Sequence, residues 1–117
     1  MAIPSGSGTE VLNMATTRAL SNSWVTVLEG AANHIYTIIS ILATETGGNA
    51  ETLSIGVADD ASNTNFTYIL NIVPIPVNGT FVFNDRFVFQ GTKFLRMSLA
   101  NAGDADIYVS YIDQDWT

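Results

Sequence analysis

The chain has 117 residues, no cysteine and a formal net charge of −7. This length fits one domain, and the lack of cysteine excludes disulfides and thiolate metal sites. Only Arg18, Arg86, Lys93 and Arg96 are basic, which argues against nucleic-acid binding, because that needs a clustered basic face. Charged residues make up 13% of the chain, a low fraction that is typical of interface centres, so we expect surfaces covered by other chains.

The first segment, residues 1–23, differs from the rest of the chain. Ser7 and Glu10 have the spacing of a helix capping box, so one interpretation is a short helix that runs through Met14. The alternative is an extended arm with one apolar edge, held down by a neighbouring subunit. The start of the chain lacks the basic and apolar runs of a signal peptide, so we expect no export by that route.

Residues 24–117 show the pattern of short β-strands. Apolar residues alternate with polar ones between turn-forming residues, as in strands with one buried face. The predicted strands lie within residues 24–29, 34–45, 52–57, 66–72, 80–99 and 107–112. We therefore predict an all-β chain: an antiparallel, jelly-roll-like β-sandwich of about eight strands, preceded by the N-terminal arm. No run approaches the roughly 18 apolar residues of a membrane span, so we expect no membrane partner.

Residues 80–99 contain two Phe-Val-Phe blocks and are predicted to form the centre of the sandwich. Phe81 and Phe83 share one strand face, as do Phe87 and Phe89. Aromatic side chains of this kind could stack on a ligand, but large apolar residues dominate protein cores. We interpret them as core residues.

Few residues suggest chemistry. His34 is the only histidine, and no nucleophile motif accompanies it, so we predict no catalytic residue and no cofactor. Asp59 and Asp60, with Ser62 and Asn65 nearby, are the best cluster of oxygen ligands for Ca²⁺. They lack the order of an EF-hand loop, and turn chemistry explains them as well, so we predict no metal.

Four segments carry a resemblance. They are GSGTEVL at 6–12, NHIYTIISI at 33–41, the Pro-x-x-Gly-Thr-Phe-Val-x-Asn-Asp-x-Phe-Val segment at 76–88, and YVSYIDQDW at 108–116. In this order they resemble small virion proteins of tailed bacteriophages. The resemblance implies a β-sandwich structural subunit of a virus particle, made in the host cytoplasm.

Our first hypothesis is a capsid decoration (cement) protein on the outer shell. Its partners would be the major capsid protein and further copies of itself, with a homotrimer favoured. The contacts expected to be buried are Val11, Leu12 and Met14 of the arm, and secondarily Trp24 and Trp116.

Two alternatives stay open. A tail or tail-fibre component, such as an adaptor, would use the same sandwich and arm. A carbohydrate-binding module would instead present Asn and Asp side chains to sugar hydroxyls from the loops at 46–49, 59–65 and 101–106.

Overall fold

A computed structural model describes residues 8–101 and 104–116. The predicted capping residue Ser7 lies outside the described residues, as does Gly103 of the loop at 101–106. The strands are β1 (Thr9–Leu20), β2 (Val25–Glu29), β3 (His34–Glu45), β4 (Glu51–Ala58), β5 (Thr67–Ile75), β6 (Thr80–Phe83), β7 (Phe87–Gln90), β8 (Phe94–Leu99) and β9 (Ala105–Asp115). No helix among the described residues is long and apolar enough to cross a membrane.

The strands form two antiparallel sheets that pack face to face. One sheet has the order β1-β9-β3-β6, with β7 also paired to β3, and the other has the order β2-β8-β4-β5. The predicted all-β sandwich is therefore confirmed, with nine strands in place of about eight.

Alternation along the strands builds the core between the sheets. In β9, Ile107, Val109 and Tyr111 are buried while Tyr108 points outward, as a two-residue period requires. The core also contains the following side chains from β3, β4 and β8, all fully buried: Ile38, Ile41, Leu53, Ile55, Leu95 and Met97. Burial of this apolar surface is the main stabilising contribution to the sandwich.

The N-terminal segment is extended. The helix interpretation is wrong, because β1 runs antiparallel to β9 in unbroken register from Thr9 opposite Asp115 to Thr17 opposite Ile107. The register shifts after Thr17, and Leu20 is 1% exposed, so the end of the strand enters the core. The described part of the predicted arm therefore lies on the sheet of its own chain. Its division from residues 24–117 as a separate unit stays a prediction.

The phenylalanine-rich stretch does not form one centre. Both β6 and β7 pair with β3, on the side of β3 away from β9, whereas β8 is an inner strand of the other sheet. The twelve residues of β3 offer room for the two four-residue strands end to end. Phe89 is buried, and Phe81, Phe83 and Phe87 are partly buried against the core.

Candidate interaction surface

The side of the five-stranded sheet that faces away from the core is unusually apolar. Strand alternation places six large apolar side chains there, with exposed fractions between 36% and 73%. We call this surface the outer face, and its members are Leu12, Met14, Leu42, Val82, Val88 and Tyr108. Contiguous exposed apolar patches on soluble proteins mark binding surfaces more often than isolated exposed residues do.

Within the strands, the charged residues of the outer face lie near its ends, while Asp85 and Arg86 lie at its margin in the exposed connection between β6 and β7. The charged residues of β1 are Glu10 near its start and Arg18 near its end, and Asp106 of β9 lies at the Arg18 end. Two shallow hollows, of about 490 and 330 Å³, flank Tyr108, and Arg18 and Asp106 line the smaller one. A flat apolar partner can therefore approach the centre of the face without burying a charge.

The structure brings two of the predicted contact residues onto the outer face. Leu12 and Met14 lie there, whereas Val11 alternates to the opposite side of β1, although it is also exposed. Trp24 precedes β2 in the other sheet and packs edge-on against Phe66, with ring centroids 4.8 Å apart. The assignment of these residues to a partner stays a prediction.

Trp116 follows β9 and is partly buried. Its backbone N–H donates to the Asn33 carbonyl oxygen at 2.9 Å, and the backbone of Gly8 packs against its ring. Its indole Nε1 is buried without a hydrogen-bond partner among the described residues. Its place at the end of the sheet gives it a packing role in this chain, and partner binding by Trp116 stays a prediction.

The single histidine ties two strands together. Nδ1 of His34 lies 2.7 Å from a carboxylate oxygen of Asp113, and Nε2 lies 3.5 Å from one of Asp115. The ring stacks on Tyr36 with centroids 5.8 Å apart, and burial raises the pKa of Tyr36. These contacts join the start of β3 to the end of β9.

The side-chain oxygens of Asp59 and Asp60 in the 59–65 loop form hydrogen bonds and an ion pair with other residues of this chain. Asp59 pairs with Lys93 and accepts a hydrogen bond from the side-chain amide of Asn65, and these bonds lower its pKa. Asp60 accepts the hydroxyl and N–H of Thr64 and the N–H of Ser62, which lowers its pKa too. Among the described residues, no group of three or more acidic or histidine side chains is arranged to hold a metal.

Two buried carboxylates, Glu45 and Glu51, were not predicted from the sequence. Glu45 is buried and accepts backbone N–H groups of Asn78, Gly47 and Asn49, and these bonds, with that from Asn78 foremost, lower its pKa. Glu51 is also buried, and its Oε1 accepts three backbone N–H groups, those of Thr52, Ala100 and Asn101. The Gly- and Asn-rich loops beside Glu45 are the one sequence feature that indicates such loop-holding carboxylates.

Asp104 faces these two acids, and its pKa is raised. Partial burial is the main cause, followed by a hydrogen bond with Glu51 and repulsion from Glu51 and Glu45. A raised carboxyl pKa means that the folded state holds its proton more tightly than the unfolded state does. The stabilisation of the folded state by this bound proton is complete below the ordinary pKa of aspartate, about 3.9. It is lost as the pH rises through the raised pKa of Asp104.

We therefore expect Asp104→Asn to remove this part of the pH dependence. The free energy of unfolding of the wild type, relative to the variant, should fall as the pH rises from about 4 through the raised pKa. Urea unfolding of both proteins across this range measures it. Asp85→Asn, in the exposed turn between β6 and β7, controls for the loss of one charge. Curves for Asp104→Asn and the wild type that stay parallel would contradict the expectation.

Comparisons with known proteins add a likeness of fold. No family model and no curated protein matches the chain. A chain from Bacillus endospore appendages, described as a novel family of disulfide-linked pili, has a TM-score of 0.54 and 12% sequence identity, over 98% of this chain and 95% of that one. A chain from the acidic stable capsid of Helicobacter pylori bacteriophage KHP30 has a TM-score of 0.49 and 13% identity, over 92% and 93%. At these identities the likeness to the pilus chain shows the sandwich fold alone.

Proposed function

We propose that this protein is a non-enzymatic structural subunit of a phage particle, and specifically a capsid decoration protein. The observation that carries the proposal is the outer face: an exposed, centrally uncharged apolar surface on a chain whose net charge is −7. A protein with this charge gains solubility from its other surfaces and keeps one surface suited to burial. In this proposal the partner of the outer face is the outer surface of the capsid lattice.

Two further observations support the proposal. The four sequence segments resemble tailed-phage virion proteins and are distributed along the chain from residue 6 to residue 116. In addition, a chain with the same fold belongs to pili of Bacillus endospores, so this sandwich suits a subunit that is repeated many times. The disulfide links of those pili have no counterpart here, because this chain contains no cysteine.

The size of the outer face determines how such a protein would act. With strands about 4.8 Å apart and about 3.4 Å per residue, the face covers roughly 500–600 Å². A stable interface needs about 800 Å² from each partner, so one face alone would bind weakly. Many copies on one shell would act together, and each copy that binds only the assembled lattice shifts the equilibrium away from disassembly.

Copy number in purified particles tests the proposal. Quantitative mass spectrometry against the major capsid protein should give hundreds of copies of a decoration protein. A count of about six to twelve would assign the protein to a tail ring or fibre adaptor, which is the second candidate and uses the same surface. Absence from particles would contradict both.

One observation favours keeping carbohydrate binding as a further candidate. Trp24, Phe66 and Tyr68 gather beside the 59–65 loop, and Tyr68 is half exposed, so an aromatic platform adjoins a polar loop. Binding on a glycan array that disappears in Tyr68→Ala would support this function. Carbohydrate binding at this platform would not involve the apolar outer face.

A further inference from the structure

The free edge of β1 differs from the other edges of the two sheets. β6 and β7 have four residues each, and β2 has five with a register shift, so these edges are short or irregular. β5 contains Pro74, a left-handed residue at Ile72 and two register shifts. Such features discourage pairing with another chain.

β1 has these protective features only near its end, where a register shift follows Thr17 and Ala19 is left-handed. It has twelve residues, contains no proline, and stays in regular register with β9 from Thr9 to Thr17. Its charged residues, Glu10 and Arg18, stand near its two ends. A long, regular and exposed edge of this kind is a template for another strand.

The backbone groups along this edge can be assigned from the ladder. In an antiparallel pair, alternate residues direct both N–H and C=O toward the neighbouring strand, and the residues between them direct both away. The Met14 N–H donates to the side-chain oxygen of Asn13 at 2.8 Å, so it points away from β9. By alternation the same holds for Glu10, Leu12 and Thr16, whose side chains share the outer face.

The charges on β1 are arranged symmetrically about its centre. Glu10 and Arg18 each stand four residues from Met14, on opposite sides of it. If two β1 strands pair antiparallel with Met14 opposite Met14, Glu10 of each strand stands opposite Arg18 of the other. Opposite charges in directly facing positions stabilise an antiparallel pair, and like charges destabilise it.

We infer that β1 pairs antiparallel with β1 of a second copy of this chain, in the register that centres on Met14. Leu12 then lies opposite the partner's Thr16, and Glu10 lies opposite the partner's Arg18. The three facing pairs formed by Leu12, Met14 and Thr16 lie in the regular part of β1 and would exchange roughly six main-chain hydrogen bonds, two in each pair. This number lies within the range of a typical protein interface, which has roughly ten direct hydrogen bonds, give or take five.

Charge and symmetry both favour a second copy as the occupant. Two chains of net charge −7 repel each other over most of their surfaces, and the paired edges place an arginine of each chain against a glutamate of the other. The contact is two-fold and self-complementary, which is the commonest symmetry of homo-oligomers. It requires that the Asn13 side chain release the Met14 N–H and that Arg18, which lies at the register shift after Thr17, align with the partner's Glu10. The expected assembly is a dimer, in contrast to the trimer that the sequence hypothesis favours.

Pairing would also enlarge the binding surface. The two outer faces would lie side by side on one continuous sheet and offer roughly 1,100 Å², twice the area of one face. This exceeds the roughly 800 Å² that a stable interface needs from one partner. The use of the joined face on a shell rests on the proposed function, whereas the dimer itself does not.

Sedimentation equilibrium of the isolated full-length chain at low ionic strength tests the inference. The wild type should be a dimer, and Glu10→Arg and Arg18→Glu should each weaken it at least about fivefold, since like charges would then face each other twice. The double variant E10R/R18E should restore the wild-type dissociation constant. Thermal unfolding of each variant confirms that the chain remains folded.

A backbone variant provides an independent test. Thr16→Pro removes an N–H group that faces the free edge without removing one that pairs with β9, so it should abolish the dimer, and Thr16→Ala should not. A wild-type monomer or trimer, or a dimer unchanged by E10R and by Thr16→Pro, would overturn the inference. Incorporation into particles is measured separately, so a monomer that still joins particles contradicts only this inference and leaves the proposed function standing.

Discussion

Replacing Phe89 with alanine is expected to lower the free energy of unfolding by about 3–5 kcal/mol. The Phe89 side chain is 5% exposed and stands opposite Tyr36 on β3. The two rings stack with their centroids 4.9 Å apart, so the substitution would remove this contact and leave a cavity at the end of the core. Equilibrium unfolding in urea, monitored by fluorescence and by circular dichroism, measures the change.

The two neighbouring residues on β7 provide matched controls. Val88 is 58% exposed on the outer face, so Val88→Ala should change stability by no more than about 0.5 kcal/mol. Phe87 is only partly buried against the core, and Phe87→Ala should cost roughly 1–2 kcal/mol. If all three variants lost similar free energy, β7 would not have the alternating burial described here.

Local alternation made the strands predictable, but it left their neighbours undetermined. Ile107, Val109 and Tyr111 alternate with polar residues in the sequence and are buried in the structure, as expected. The phenylalanine blocks show the same alternation, yet their pairing with β3 depends on contacts between residues 36 to 55 positions apart. The period of a strand specifies which face is buried, and it does not specify which strand lies beside it.

In the N-terminal segment, the local sequence pattern favours the wrong secondary structure. Its capping-box spacing and its short apolar run favour a helix locally, and pairing with β9 overrides that preference. That Leu12 and Met14 share one face could be predicted, because they alternate with Asn13 in an extended chain. The outer face as a whole could not, since it also needs Leu42, Val82 and Tyr108 from three other strands.

Buried carboxylates were the features least accessible to sequence reasoning. Glu45 and Glu51 stand at the ends of strands, where glutamate is ordinarily exposed. Their burial depends on the backbone N–H groups of loops that the fold brings to them from elsewhere in the chain. Only the assembled structure shows that these groups converge.

An aspartate on either side of the outer face should prevent attachment to the shell. Leu12→Asp and Val82→Asp place a charge at opposite sides of the face, on β1 and on β6. Both side chains are exposed in the isolated chain, so the fold should tolerate the changes, whereas burial of an unpaired charge against a partner costs several kcal/mol. We expect each variant to bind stripped particles at least about a hundredfold more weakly than the wild type, which corresponds to a loss of about 2.7 kcal/mol.

Val77→Asp is the matched control, because Val77 is as exposed as Met14 but lies in the turn between β5 and β6. This variant should bind particles like the wild type. The pair of face variants separates two modes of attachment, since Val82 belongs to β6, on the far side of β3 and β9 from β1. Loss of binding in both supports docking through the whole face. Loss in Leu12→Asp alone would restrict the contact to the N-terminal strand, and full binding by both would exclude the outer face as the docking surface.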